Sequence, residues 1–516
     1  MAERRNLEKS ENGVLNGSVD RMFEEYKVGK RFDISKTGNQ IRFRKGDSKE
    51  FRNGVAEEVM KRVMAEVFEV RSSIGFAGTA PSDIEAVDLS HVWHPYTQMA
   101  EYGEEQLFIS KAQGATITDI YGKSYIDAVG GLWCVNAGYG RSNILAAMAN
   151  QAATASYIPL FGRSHVPGAK LAKELITIAP NGLNHVFFSN GGTEAVETAI
   201  KIVRQYFAHL KKPQKRRIAS FKGGWHGCTL GALAASGTDG ERSLFLDDSE
   251  QFIHLPYPSE EELHKPDRSG DYFNKFQQTI MQMDPETIAA FLFEPIQGVG
   301  GMRVPTREFY GELQKICKSH NILLIADEIT TGFGRTGKMF ACEHFDINPD
   351  MMVVGKGLTS GYAPLSATLT SGEIYRQFLA KGKHFIHGYT FGGHPTACAS
   401  AIENITTLKK EQLPERAEVL GKRMLGRLNT KLEDNPRVVE TRGKGLLIAL
   451  ELQIEGGCEL MSQADSRKIC SKARENGLIV RSLDNIIPIC PPLSISDQEA
   501  DQICDILVSA IKDTNL

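Results

Sequence analysis

No stretch of the 516 residues approaches the roughly 18 consecutive apolar residues that a membrane-spanning helix needs. The opening MAERRNLEKSENG has no apolar core behind its charges, so no secretory signal is expected there. An excess of charge is missing too. Sixty Lys and Arg stand against 63 Asp and Glu, a formal net of −3, which gives neither nucleic acid nor an acidic membrane an electrostatic handle. Cysteine is sparse: nine residues stand singly between Cys134 and Cys504, with no paired metal-ligand spacing. An odd, scattered set reads as reduced thiols in a cytoplasmic protein with no metal site. The rest is ordinary for a globular chain, 41% hydrophobic and 24% charged. Its length suits a large domain plus a smaller one.

The stretch that organises the chain is 321–361, NILLIADEITTGFGRTGKMFACEHFDINPDMMVVGKGLTSGY. Its apolar run 322–326 is short and β-branched enough to be a buried strand, and it delivers Asp327 and Glu328 at its carboxyl end. A second run, Met351–Val354, ends at Gly355-Lys356-Gly357. In open α/β sheets, ligands bind outside the carboxyl ends of the strands. An amine and a carboxylate delivered there together suit pyridoxal phosphate, which needs a lysine for its aldehyde and an acid for its ring nitrogen. Singly, such an Asp is usually a turn or cap residue and such a Lys usually surface loop. Their joint placement is what points to chemistry.

DEITTGFGRTG followed by VVGKGL resembles class III (subgroup II) aminotransferases, and further motifs extend the resemblance over about 92–492. It implies fold type I: an α/β large domain with a mostly parallel seven-stranded sheet, plus a smaller α+β domain. The expected division is an N-terminal extension over 1–85, an N-terminal part of the small domain over 86–150, the cofactor-binding domain over 151–400, and the C-terminal small domain over 401–516. The extension carries one helix signal of its own. Val55, Val59, Val63 and Val67 recur every four residues within 54–72, an amphipathic pattern that predicts packing rather than chemistry.

Taken in order, the family motifs begin with VWHPYTQM. Two alternating segments, 115–120 and 124–128, flank the turn Tyr121-Gly122 and lead to GGLWCVNAGYGR. Trp133 in that loop would be a core anchor on its surroundings alone. The near-verbatim wording resembles the branch that transfers amino groups from ω-amines to pyruvate, which implies a Trp over the substrate pocket. Phe161 in LFGRSH resembles an aromatic lining the neighbouring subunit's site. The strand, NGGT turn and helix of 185–201 resemble the family's phosphate cup. A Gly-rich turn lets backbone N–H groups close on a phosphate at a helix N-terminus; Gly192 is assigned backbone contacts and Thr193 a hydroxyl contact.

Strand Arg217–Phe221 leads to KGGWHG, where the family most often has Tyr before the His. Trp225 keeps a π-face for the ring and removes the phenol hydroxyl. His226 is either a partner of the cofactor ring or a structural hydrogen-bonding group. Glu294, at the tip of the strand ending in EPIQGVGG, falls near the cofactor or in a dimer contact. The region 241–285 reads as a charged surface excursion, and 306–320 as the helix that returns the chain to the central strand. GFGRTG is formally G-x-G-x-x-G. However, Glu328–Thr331 separate it from the strand, and about 20 residues on, where an acidic ribose ligand belongs, stand Val354 to Gly357. It is not read as a dinucleotide site. HGYTFGGHPTAC resembles the loop whose Thr, here Thr390, reaches the other subunit's phosphate, which implies a homodimer with sites at the interface. The small domain resumes with a helix through Lys431 and RGKGLLIALEL as a strand. Arg481 in GLIVRSLDNIIPICPPL resembles the mobile arginine that binds a substrate carboxylate.

The expected function is transamination from an ω-amino acid or amine to pyruvate, by a ping-pong mechanism through cofactor carried on Lys356, with Asp327 at the ring nitrogen and Ile329 and Trp225 on its two faces. The partners are a small amine donor and a keto acid. One alternative is diaminopelargonate synthesis from S-adenosylmethionine. A racemase or decarboxylase on the same fold, and a non-catalytic relative used for binding, remain as further alternatives.

Overall fold

Seven short runs, most of them rich in β-branched and aromatic residues, form one sheet. In chain order they are β1 (Leu183–Ser189), β2 (Arg217–Phe221), β3 (Phe252–Leu255), β4 (Ile288–Phe293), β5 (Leu323–Asp327), β6 (Met351–Val354) and β7 (Ser366–Ser371). Their spatial order is β1-β7-β6-β5-β4-β2-β3. Six strands run the same way, and β7 is antiparallel to both its neighbours. Every residue of β4, β5 and β6 is buried, which is why these strands read as unbroken apolar runs instead of alternating ones. The computed structural model describes residues 35–37, 40–42 and 80–516, apart from 247–249, 260–261, 264–265, 457–458 and 516.

Two layers cover the sheet. Helix α1 (Gly192–His209) buries Ala195, Val196, Ala199, Val203 and Phe207, in the same apolar cluster as Leu323 and Ile325 of β5. Leu324 and Ala326 point the other way, into the cluster that contains Phe309, Tyr310 and Leu313 of helix α2 (Arg307–Ser319). The two-residue period of β5 therefore decides the fate of its acids. Asp327 continues the α1 side, and Glu328 continues the opposite side. Helix α2 is the return helix expected over 306–320, with Thr306 Oγ1 accepting from Phe309 N at its start.

The chain divides into two compact units, 1–80 and 81–516. Within the first, Ser35–Thr37 and Gln40–Arg42 pair antiparallel; the helix expected over 54–72 lies outside the described residues. Within the second, Ile109–Gln113, Thr116–Asp119 and Ser124–Asp127 form an antiparallel meander, and Leu478–Ile479 adds to it in parallel, Leu478 opposite Ile126 and Ile479 opposite Asp127. A three-stranded antiparallel sheet comprises Val438–Lys444, Leu447–Leu452 and Ile486–Ile489.

Two expectations are corrected. RGKGLLIALEL is a hairpin and not one strand, because Gly445, at a φ of 58°, turns the chain between Val438–Lys444 and Leu447–Leu452. The region 241–285 is not a surface excursion. It supplies edge strand β3 and helix Pro266–Gln282, whose Tyr272, Phe273, Phe276 and Ile280 are buried. Charge between those apolar residues hid an amphipathic period. Among the described residues, no helix is long and apolar enough to cross a membrane.

Candidate active site

Asp327 lies at the end of β5, almost fully buried, and accepts hydrogen bonds on both oxygens. Oδ2 is 2.8 Å from His226 Nδ1, and Oδ1 takes the backbone N–H of Ile329 at 3.1 Å. His226 is as buried as its partner, so the two hold one another in fixed orientation away from water. Glu294 follows β4. Its carboxylate accepts from Trp225 N at 3.0 Å and from Gly298 N at 2.9 Å. Burial pushes the Glu294 carboxyl up to about 7, Asp327 adds to the rise, and His226 and the two backbone donors oppose it. Glu328 faces away, as its strand parity demands. It takes Thr331 Oγ1 at 2.5 Å and the backbone N–H groups of Ala341 and Cys342 at 3.0 and 2.7 Å. It holds a loop and takes no part in the cluster.

Lys356 follows β6 beside β5. Its backbone has a φ of 41°, in the left-handed region, where a side chain is strained unless its surroundings enforce the conformation. Nζ donates to Thr330 Oγ1 at 2.7 Å and lies 5.2 Å from the centroid of the Trp133 ring. Burial lowers the Lys356 pKa below the ordinary lysine range, while Asp327 and Glu294 hold it up. Trp133 is itself left-handed, with a φ of 59°, and Asp127 supplies the restraint. One Asp127 oxygen accepts from Val129 N and Gly130 N, and the other from Gly131 N and Tyr139 Oη. Among the described residues the Trp133 indole Nε1 is buried without a partner, a donor free for a ligand in the cavity.

The turn before α1 forms the third wall. A Cβ added at Gly192 would lie 2.9 Å from Ile329 Cδ1, so any larger residue there would push the Ile329 side chain aside. Glu194 Oε2 ties back Asn190 N at 2.7 Å, and Ser366 Oγ donates to the carbonyl of Gly191 at 2.7 Å. Thr193 Oγ1 accepts from Cys228 N at 3.0 Å. An amine, a buried acid, a glycine turn at a helix N-terminus and flanking Ile329 and Trp225 meet outside the carboxyl ends of β1, β2, β4, β5 and β6. That donor set fits pyridoxal 5'-phosphate: a cup for its phosphate, an acid for its ring nitrogen and a lysine for its aldehyde.

The structure thus brings together Lys356, Asp327, His226, Glu294, Ile329, Trp225, Trp133, Gly192 and Thr193. Thr390 and Phe161 belong to a second, exposed group. The Phe161 ring covers Gly388, and Tyr157 Oη donates to the Thr390 carbonyl at 2.6 Å. Arg481 lies two residues beyond its short strand instead of on it, beside the Asp127 end of the meander. It is exposed overall, yet its guanidinium is crowded enough for desolvation to lower its pKa. Among the described residues it has no ion-pair partner.

Several contributors were not singled out from sequence. Thr330 is three residues past Asp327 in the same motif. Asn136 and Arg335 form the hub under the Trp133 loop. Arg335, fully buried, donates to Leu446 O at 3.0 Å, Pro491 O at 2.6 Å and Asn136 Oδ1 at 2.9 Å. The G-x-G-x-x-G wording therefore serves a structural arginine. Tyr96 of WHPYTQM meets the Trp225 ring edge-on, at 6.4 Å and 74°.

A family model described as Aminotransferase class-III matches residues 98–511. An adenosylmethionine-8-amino-7-oxononanoate aminotransferase of Staphylococcus aureus is 34% identical over 441 residues, 82% of this chain and 96% of that protein. A putrescine–pyruvate aminotransferase of Pseudomonas aeruginosa is 35% identical over 427 residues, 81% of this chain and 93% of its own length. Among solved structures, a thermostable (S)-enantioselective omega-transaminase from Thermomicrobium roseum superposes with a TM-score of 0.81 at 34% identity, covering 84% of this chain and 99% of that one. The chain belongs to the class III aminotransferases, pyridoxal-phosphate-dependent enzymes built on the fold type I sheet.

Proposed function

We propose that this aminotransferase moves an amino group from an ω-amino acid or simple amine to pyruvate, which leaves as alanine, in two half-reactions on one site. Pyridoxal 5'-phosphate, when bound, supplies an electron-withdrawing ring that acidifies the hydrogen on the amine-bearing carbon. The chain's own residues do the rest. Gly192 and Thr193 hold the phosphate at the start of α1, and Thr390 of the partner subunit adds a hydroxyl. Asp327, fixed by His226, keeps a proton on the ring nitrogen. Ile329 and Trp225 flank the ring, and Glu294 braces the Trp225 backbone. Lys356 Nζ, made less basic by burial, would take the proton from the amine-bearing carbon and deliver it two atoms away, to the cofactor's aldehyde carbon, the 1,3-shift that transamination requires. Trp133 covers the pocket, with Phe161 reaching it from across the dimer. Arg481 offers a planar, always-charged fork to the carboxylate of pyruvate.

The observation that carries this reading is Lys356 Nζ under the Trp133 ring, beside the Asp327–His226 pair. A homodimer is supported by the second group. Tyr157, Phe161, Ile386 and Phe391 stay 37%, 59%, 74% and 58% exposed in one chain, more apolar surface than a lone subunit usually leaves in one region. The pairing of Leu478–Ile479 with Ser124–Asp127 supports grouping 86–150 with 401–516 as one smaller domain around the 151–400 body.

The second reading, diaminopelargonate synthesis, is favoured by the similarly identical Staphylococcus aureus relative. Assaying alanine formation from pyruvate with ω-amino acids, diamines, taurine and aryl amines separates the two. Alanine from any of these supports the pyruvate reading. Turnover only with S-adenosylmethionine and the biotin precursor transfers the site to the second. Lys356→Ala is expected to abolish turnover and the visible absorbance of bound cofactor; an active variant would remove Lys356 from its role.

A further inference from the structure

One polar cluster has no part in the chemistry above. Along one side of α1 stand Glu194, Thr198, Lys201 and Gln205, spaced four, three and four residues apart, with Thr198 itself buried. The loop that carries Thr390 lies along them. Gln205 Nε2 donates to the carbonyl of His384 at 2.8 Å, and Lys201 Nζ donates to His387 Nδ1 at 2.9 Å. His387 Nε2 meets Thr198 Oγ1 at 3.1 Å, and Thr198 Oγ1 donates to the carbonyl of Glu194 at 2.8 Å. Tyr389 Oη reaches the same carbonyl at 3.0 Å.

The direction of these bonds follows from one donor. An ammonium can only donate, so Nδ1 accepts, the proton is on Nε2, and the imidazole is neutral. The ring lies parallel to Phe187 of β1 at 5.6 Å and is met edge-on by Tyr389 and Phe385 at 4.7 and 5.3 Å. The relay ends on the residue after Thr193.

We propose that His387 is a positioning residue that straps the Thr390 loop to the helix whose first turn is Gly192 and Thr193. One helix then holds both the phosphate cup of its own chain and the threonine offered to the partner subunit. This rests on the reading of Thr390 given above. The charged and titratable groups facing the ring are Lys201, Glu194 and Glu197 from α1 and Tyr389 from the loop. Burial and Lys201 lower the His387 pKa, while Glu197 and Glu194 oppose this, so the strap is intact at neutral pH. A second proton, on Nδ1, removes the lone pair that Lys201 needs.

The test is titration of cofactor-free protein with pyridoxal 5'-phosphate, followed by absorbance, for wild type, T390A, H387A, H387N, K201M and the H387A/T390A double variant. H387A is expected to weaken cofactor binding about tenfold, the scale of one lost hydrogen bond, and to add nothing once Thr390 is gone. H387N recovers part of the loss, because its amide oxygen can still accept from Lys201, and K201M on the exposed side weakens binding less. Wild type loses affinity as pH falls through the range of His387, and H387N does not; the cofactor's own ionisation is common to both. Tight binding by H387A and K201M beside a weak T390A overturns the strap and leaves Thr390 in its role. A tight T390A removes Thr390 from the phosphate and the strap with it. Additive losses make His387 merely structural and also overturn the proposal. If H387A does not fold, K201M and H387N decide.

Discussion

Two carboxylates one peptide apart, Asp327 and Glu328, end in opposite environments because a strand alternates its faces. Asp327 gains a histidine partner in the site, whereas Glu328 serves three loop donors on the far side. Glu294 shows burial outweighing nearby opposing groups at an acid. Its carboxyl is raised from an ordinary value near 4.5 to about 7. Across that window the folded chain keeps a proton that the unfolded chain has released, so stability falls as pH rises, and the full cost is present above it. Glu294→Gln removes the ionisation. Denaturation midpoints are expected to show the variant gaining roughly 3 kcal/mol on wild type between pH 5 and pH 8. A difference that stays flat with pH would mean that the Glu294 carboxyl is hydrated.

Arginine does opposite work in two elements. On the helix Leu413–Leu432, Arg416, Arg423, Arg427 and Lys431 form a ladder with Asp497, Asp501 and Asp505 of helix Asp497–Asp513. These pairs face solvent, where hydration and salt offset most of the attraction, so Arg423→Ala is expected to leave the denaturation midpoint nearly unchanged. Arg335 is wholly buried and holds three segments distant in sequence. Arg335→Ala strands the carbonyls of Leu446 and Pro491 and opens a cavity, and a loss of roughly 3–5 kcal/mol is expected. Denaturant titration of the two variants side by side reads the contrast directly. Equal midpoints would show that the buried hub contributes no more than the surface ladder.

For the whole molecule, the match to the family begins at residue 98, and relatives are covered over 93–99% of their length while 81–84% of this chain is used. The second compact unit therefore contains everything the family shares. Deleting residues 1–79 is expected to leave turnover of the amine–pyruvate pair within a few-fold of the full chain. Loss of activity in a folded truncation would assign the first unit a part in catalysis. Sedimentation of the same protein tests the homodimer, and a monomer at assay concentration would remove Thr390 and Phe161 from the site.

Local pattern was enough for β2 and β6, whose ends are those expected from sequence, and for the delivery of Asp327 and Lys356 to adjacent strand ends. It was enough for the NGGT turn as well, since a turn that needs small residues announces itself by having them. It was not enough for β3 or for helix Pro266–Gln282, where charged neighbours masked the buried Tyr272, Phe273, Phe276 and Ile280. Nor could it separate the GFGRTG loop's structural use from a ligand-binding one, because that depends on Arg335 meeting Leu446 and Pro491, more than a hundred residues away. The sequence determined which side chains are available and which strand ends carry them. Only the tertiary structure decided that Asp127 would force Trp133 over Lys356, that Asp327 would find His226, and that His387 would tie the Thr390 loop to α1. Those contacts join segments whose spacing along the chain carries no information about distance, and packing of the sheet and its helices is what closes them.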